Sequence, residues 1–168
     1  MYIGGILHIF TIYYKAIMHK LDPQTLFSIF EQGDEEIYRE HGMEHKLKNP
    51  FVLMGMVIKG LENFELMSHM YENNFPKEFK RNKENIRRKY YTRLYEYLTR
   101  IDSDRFDDLY TIGESFEAGK VEDGLQHLLF YFEHIEEYEK CKIIKRYMDH
   151  LNIAKNITIE LELSLIHI

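Results

Sequence analysis

Two histidines and a glutamate crowd one short stretch, His41-Gly42-Met43-Glu44-His45. Histidines four residues apart share one face of a helix. Together they can hold a divalent ion while a neighbouring carboxylate activates a water on it. That spacing makes His41, Glu44 and His45 the candidate site for a metal-dependent hydrolase. The setting opposes it, because Gly42 weakens a helix and Asn49-Pro50 opens a new element four residues after His45. A solvated charged turn accounts for the same residues, and the histidines alone could hold an ion without catalysis.

The second concentration of chemistry is positive charge. From Lys77 to Arg100 nine lysines and arginines face three glutamates, a local balance of +6 in a chain whose net charge is −6. Lys80, Arg81, Lys83, Arg87, Arg88, Lys89 and Arg93 are the candidate nucleic-acid contacts. Tyr90, Tyr91, Tyr95 and Tyr97 interleave with them. Such a helix can lie along phosphates while its tyrosines stack on unpaired bases, and salt would weaken the contact steeply. The competing reading turns the tyrosines toward the core. The basic face then docks on Asp34-Glu35-Glu36 or Glu136-Glu137, of this molecule or another.

The remaining candidates point to structure. No glycine-rich phosphate loop, Cys-x-x-Cys pair or nucleophile-elbow serine occurs. His127 and His134 are seven residues apart without the Glu-x-x-His pairs of a di-iron bundle. Glu133, Glu136, Glu137 and Glu139 read as a solvated turn between helices. Cys141, the single cysteine, sits in a helical apolar pattern and reads as a core residue. No cofactor is expected.

The elements that must position these residues are helices. With 168 residues, 45% hydrophobic and 30% charged, the chain suits one globular domain, and three prolines and nine glycines leave long uninterrupted runs. Asp22-Pro23 opens a helix, and a short polar one follows Gly33-Asp34. Asn49-Pro50 opens the run Phe51 to Ile58, apolar all round and expected to be the central helix, which Asn73-Asn74-Phe75-Pro76 breaks. Ile86, Tyr90, Leu94 and Leu98 mark an amphipathic helix, with Asp102-Ser103-Asp104 ending it and capping the next. Phe106, Leu109 and Ile112 mark a helix running into Ala118-Gly119-Lys120. Leu125, Leu128 and Phe132 mark another, and Cys141, Ile144, Met148 and Leu151 the last. The expectation is an all-α, irregular single-domain bundle of about six helices.

The ends divide from the core. Met1 to Tyr14 carry no formal charge, but the run is too short to span a bilayer and lacks the flanks of a secretion signal. Residues 1–17 are therefore expected to be an upstream extension, with an extra apolar helix or a membrane-surface anchor as the competing reading, 18–152 the helical domain, and 153–168 a tail. The alternation of Ile157, Ile159 and Leu161 suggests a short strand. With no membrane span expected and one unpaired cysteine, a cytoplasmic setting follows.

Three resemblances add expectations. Ile112-Gly113, Phe116, Gly119-Lys120-Val121 and Gly124-Leu125, within residues 105–151, resemble the helix–turn–helix signature of a single tetratricopeptide repeat. That likeness implies stacked helix pairs offering a groove to a peptide or protein. Gly124 stands where that family prefers alanine, and a plain antiparallel helix pair accounts for the same residues. His41-Gly42-Met43-Glu44-His45 is similar to the H-x-x-E-H motif of inverted zinc peptidases. Leu163-Ser164-Leu165-Ile166-His167-Ile168 resembles the translation of a sequencing adapter, which would make the chain a truncated environmental gene product. The functional expectation is a non-enzymatic adaptor or accessory protein of bacterial or phage type, binding a protein partner. A nucleic-acid-binding module and a metal-dependent hydrolase are the alternatives.

Overall fold

The computed structural model describes residues 39–117 and 119–166. The helix expected from Asp22-Pro23 and the proposed extension 1–17 lie outside them, as does the short polar helix after Gly33-Asp34 except for its end, where Arg39 and Glu40 are helical. Five α-helices follow one 3-10 turn, Glu44–Lys48: α1 (Pro50–Asn74), α2 (Pro76–Thr99), α3 (Phe106–Ser115), α4 (Lys120–His134) and α5 (Tyr138–Ile166). Among the described residues no strand forms, and no helix is long and apolar enough to cross a membrane.

The start of α1 follows from Asn49 and Pro50. The Asn49 side chain accepts the Phe51 amide at 2.9 Å, and Pro50 occupies a position whose missing N–H costs nothing. One residue separates α1 from α2. Phe75 ends the first by donating its amide to the Tyr71 carbonyl and leaves the helical region, as the residue before a proline does.

The hairpin α1–α2 is antiparallel and meets along an aromatic seam. Phe64 packs against Tyr90 and Tyr91 at 5.0 and 5.4 Å between centroids, and Tyr71 packs against Phe79 at 5.4 Å. Gly60 lets the two axes approach: a Cβ there would stand 2.5 Å from Leu94 Cδ2. Helices α3, α4 and α5 form the second unit, α5 packing on both others, and α1 touches α2, α3, α4 and the 3-10 turn. The central position expected for the helix from Asn49-Pro50 is therefore the observed one.

Three details differ from expectation. Asp102-Ser103-Asp104 does not cap α3, whose N-cap is Arg105 without a side-chain bond. Instead Asp102 accepts the Asp104 amide at 3.0 Å and closes a local turn. Helix α3 stops at Ser115 rather than running on, since Phe116 is extended and Gly119 takes φ +86° before α4. The expected strand at Ile157, Ile159 and Leu161 is helix, because the core spacing continues through Leu151 and Ala154, 1% and 4% exposed, and carries α5 across residue 152.

The α2–α3 connector is pinned from three sides. Arg100 donates to the Leu47 carbonyl at 3.1 Å, the buried Tyr147 hydroxyl donates to the Ile101 carbonyl, and His150 Nδ1 donates to the Ser103 carbonyl at 2.7 Å.

Candidate interaction surfaces

The HxxEH residues do not assemble. Gly42 adopts φ +64°, a left-handed conformation that breaks the chain between the histidines and ends the one-turn relation the chemistry needs. His41, Glu44 and His45 are all exposed, Glu44 and His45 falling in the 3-10 turn. Among the described residues no three histidine, cysteine or acidic side chains come together to hold a metal.

Helix α2 divides its aromatic and cationic residues. Tyr90, Tyr91 and Tyr97 are 9%, 7% and 2% exposed, so the stacking platform expected for unpaired bases faces the core. Burial pushes the Tyr91 and Tyr131 hydroxyls up, that of Tyr131 to about 12. The candidate cations split into two groups. Arg87 lies over the rings of Tyr91 and Tyr131 at 5.6 and 5.2 Å, Arg93 over Tyr90 at 6.0 Å, and Arg88 pairs with Glu137 at 3.0 Å. Arg87 and Arg88 thereby tie α2 to α4 and to the turn after it, while Arg93 covers a ring of its own helix. Lys80 and Arg81 are exposed and enter no ion pair with the described residues, Lys83 is exposed with its amine 5.7 Å from the centroid of the Phe79 ring on its own helix, and Lys89 is exposed. An open trough of about 560 Å³ runs along Asn85, Arg88, Lys89, Thr92, Arg93 and Glu96.

Of the four acids expected in a turn, Glu136 and Glu137 lie between α4 and α5, while Glu133 is in the last turn of α4 and Glu139 in the first turn of α5. Glu136 sits at φ +61°, and the Glu137 amide reaches back to the Phe132 carbonyl at 2.9 Å, a Schellman closure with glutamate where glycine is usual. Glu137 pairs with Lys140 at 2.9 Å and with Arg88, and those cations hold its carboxyl below the usual range. The Arg88–Glu137 bond is an internal instance of the basic-on-acidic docking considered for this helix. Asp34-Glu35-Glu36 lies outside the described residues.

A small cleft of about 190 Å³ lies between α1 and α4, with Ile58, Leu61 and Gly124 beneath Glu62, Lys120, Asp123 and His127. Lys59 and Lys120 engage Glu62, at 2.6 and 3.1 Å, and hold its carboxyl low. The cleft is smaller than the ~300 Å³ lower end of ordinary ligand sites. His127 and His134 are both exposed along α4. Cys141 is 4% exposed and burial pushes its thiol up, as expected of a core residue.

One surface escaped the sequence reading. Phe106, Ile153 and Ile157 are 40%, 45% and 48% exposed. Phe106 lies against His150, 5.4 Å between ring centroids, and Ile153 and Ile157 follow His150 at spacings of three and seven on one helical line. That spacing was the available signal, hidden by reading residues 153–168 as a separate tail.

Comparison with protein-family models, curated proteins and solved structures returns no match.

Proposed function

We propose that the chain is a non-enzymatic helical interaction module that docks a partner protein against the outer side of α5. The observation that supports this reading is the line of exposed apolar side chains, Phe106, Ile153 and Ile157, beside His150. Aliphatic and aromatic residues that share a line, rather than standing singly, are the anchors around which protein interfaces form. The tetratricopeptide resemblance of residues 105–151, which implies helix pairs presenting a surface to a peptide or protein, supports the same reading.

The test is photo-crosslinking in the source cells with the reactive side chain at Asn152 or Asn156, which flank the line and are exposed, and at Lys142 as the control. A discrete adduct at the first two positions, absent at Lys142 and lost with Ile153→Asp/Ile157→Asp, is the expected result. Equal labelling at all three positions, or an adduct that survives the double substitution, refutes the reading.

A further inference from the structure

We propose that the exposed basic end of α2, formed by Lys77, Lys80, Arg81 and Lys83, binds the phosphate backbone of double-stranded nucleic acid without reading its bases. All four are exposed and none pairs with a carboxylate among the described residues. Helix formation does not call for them there. Lys77 and Lys80 stand in the opening turns of α2, where the positive end of the helix dipole disfavours cations.

The chemistry around the patch selects among polyanions. An acidic protein segment would meet exposed cations only, and such ion pairs contribute little each in water. Protein affinity comes from buried apolar anchors, and the outward line Arg81, Asn85, Arg88 and Thr92 offers none. An anionic membrane is held by apolar side chains entering the interface, but Phe79 is 3% exposed and Phe75 packs against the core. A single strand wants rings to stack on, and Tyr90, Tyr91 and Tyr97 are turned inward. Duplex phosphates need no anchor and no ring, because contact with each cation releases condensed counterions. The line from Lys77 through Arg81 continues into the trough beside Arg88, giving an extended strip along one helix.

The experiment is fluorescence anisotropy of the full chain with a labelled duplex of mixed sequence. The matching single strand, a poly-glutamate peptide and phosphatidylserine-containing vesicles serve as competitors. Four phosphate contacts predict binding about a hundredfold weaker at ~200 mM than at ~50 mM salt. K77E/K80E/R81E/K83E should abolish binding and the corresponding glutamine set should weaken it, both with unchanged helical circular dichroism. Reversal of Lys142 and Arg146 on α5 should leave it intact. No duplex binding at ~50 mM salt, binding retained by the reversed variant, or better competition by single strand, peptide or vesicles each overturns the proposal. None of these outcomes touches the crosslinking at Asn152 and Asn156.

Discussion

The hairpin α1–α2 and the unit α3–α5 are held together by different side chains, and the difference decides what each leaves outside. The hairpin seam is made of rings, Phe64, Tyr71, Phe79, Tyr90 and Tyr91. The interior of the second unit is largely aliphatic, with Leu109, Ile112, Leu125, Leu128, Ile144 and Leu151 all at or below 1% exposure. Having turned its aromatics inward, α2 shows water cations and small polar groups. The second unit keeps Phe106, Ile153 and Ile157 outside its core. The exposed cations of α2 and the apolar line Phe106, Ile153 and Ile157 thereby fall on different regions, and the two proposed partners with them.

The largest test of that division falls on the residues that bridge it. Phe132 of α4 is fully buried and meets Tyr95 of α2 edge-on at 5.5 Å, and its neighbour Tyr131 lies 4.1 Å from Tyr91. Phe132→Ala should cost about 3–5 kcal/mol in urea unfolding and leave one transition, because both regions lose the same ring. Two separated transitions would show that hairpin and unit fold independently.

Gly60→Ala probes the hairpin alone. Its Cβ would overlap Leu94, itself 2% exposed, while alanine favours the helix; the net loss should be about 1–2 kcal/mol. No loss would mean that the seam is looser than its spacing implies.

Tyr147→Phe tests the connector beneath the second unit and should cost about 1 kcal/mol through the lost bond to the Ile101 carbonyl. Burial raises Tyr147 to about 12 from an unfolded value of ~10. The folded state holds its proton longer, so this contribution is intact below pH ~10 and lost as pH rises through about 12. Tyr131 behaves in the same sense. Stability measured against pH should fall across that window, less steeply in Tyr147→Phe.

The smallest effect runs the other way. Glu136→Gly should stabilise by about 0.5–1 kcal/mol, since glycine takes the left-handed position at no steric cost. Thermal melting reads the change, and a lower melting temperature would mean that the Glu136 side chain contributes more than its backbone strain removes.

Much of this architecture can be read from local signals. Asn49-Pro50 and Phe75-Pro76 mark their helix boundaries because cap and proline chemistry act within a few residues. The spacing of Ile86, Tyr90, Leu94 and Leu98 already turns Tyr90 inward. The rest depends on partners distant in sequence. Nothing near Arg88 announces Glu137, 49 positions away, and nothing near Arg87 announces Tyr131. The cationic surface was thus visible as a set, but not which members the fold engages. At the other end, the alternation of Ile157 and Ile159 is a two-residue period set against a longer helical one, and the longer pattern prevails because Leu151 and Ala154 are already packed.

The three bonds that hold residues 100–105 also bear on where the chain can be cut. A protease takes a segment only when it peels away and extends, which irregular stretches usually do at little free energy. Here the α2–α3 connector must first release Leu47, Tyr147 and His150. Around Phe116 and Glu117, between α3 and α4, the Phe116 ring stacks on Phe51 at 4.8 Å, but among the described residues no side chain from a distant element bonds a carbonyl there. Limited digestion should therefore nick the chain there first, leaving α1, α2 and α3 on one fragment and α4 and α5 on the other, still associated through their packed faces.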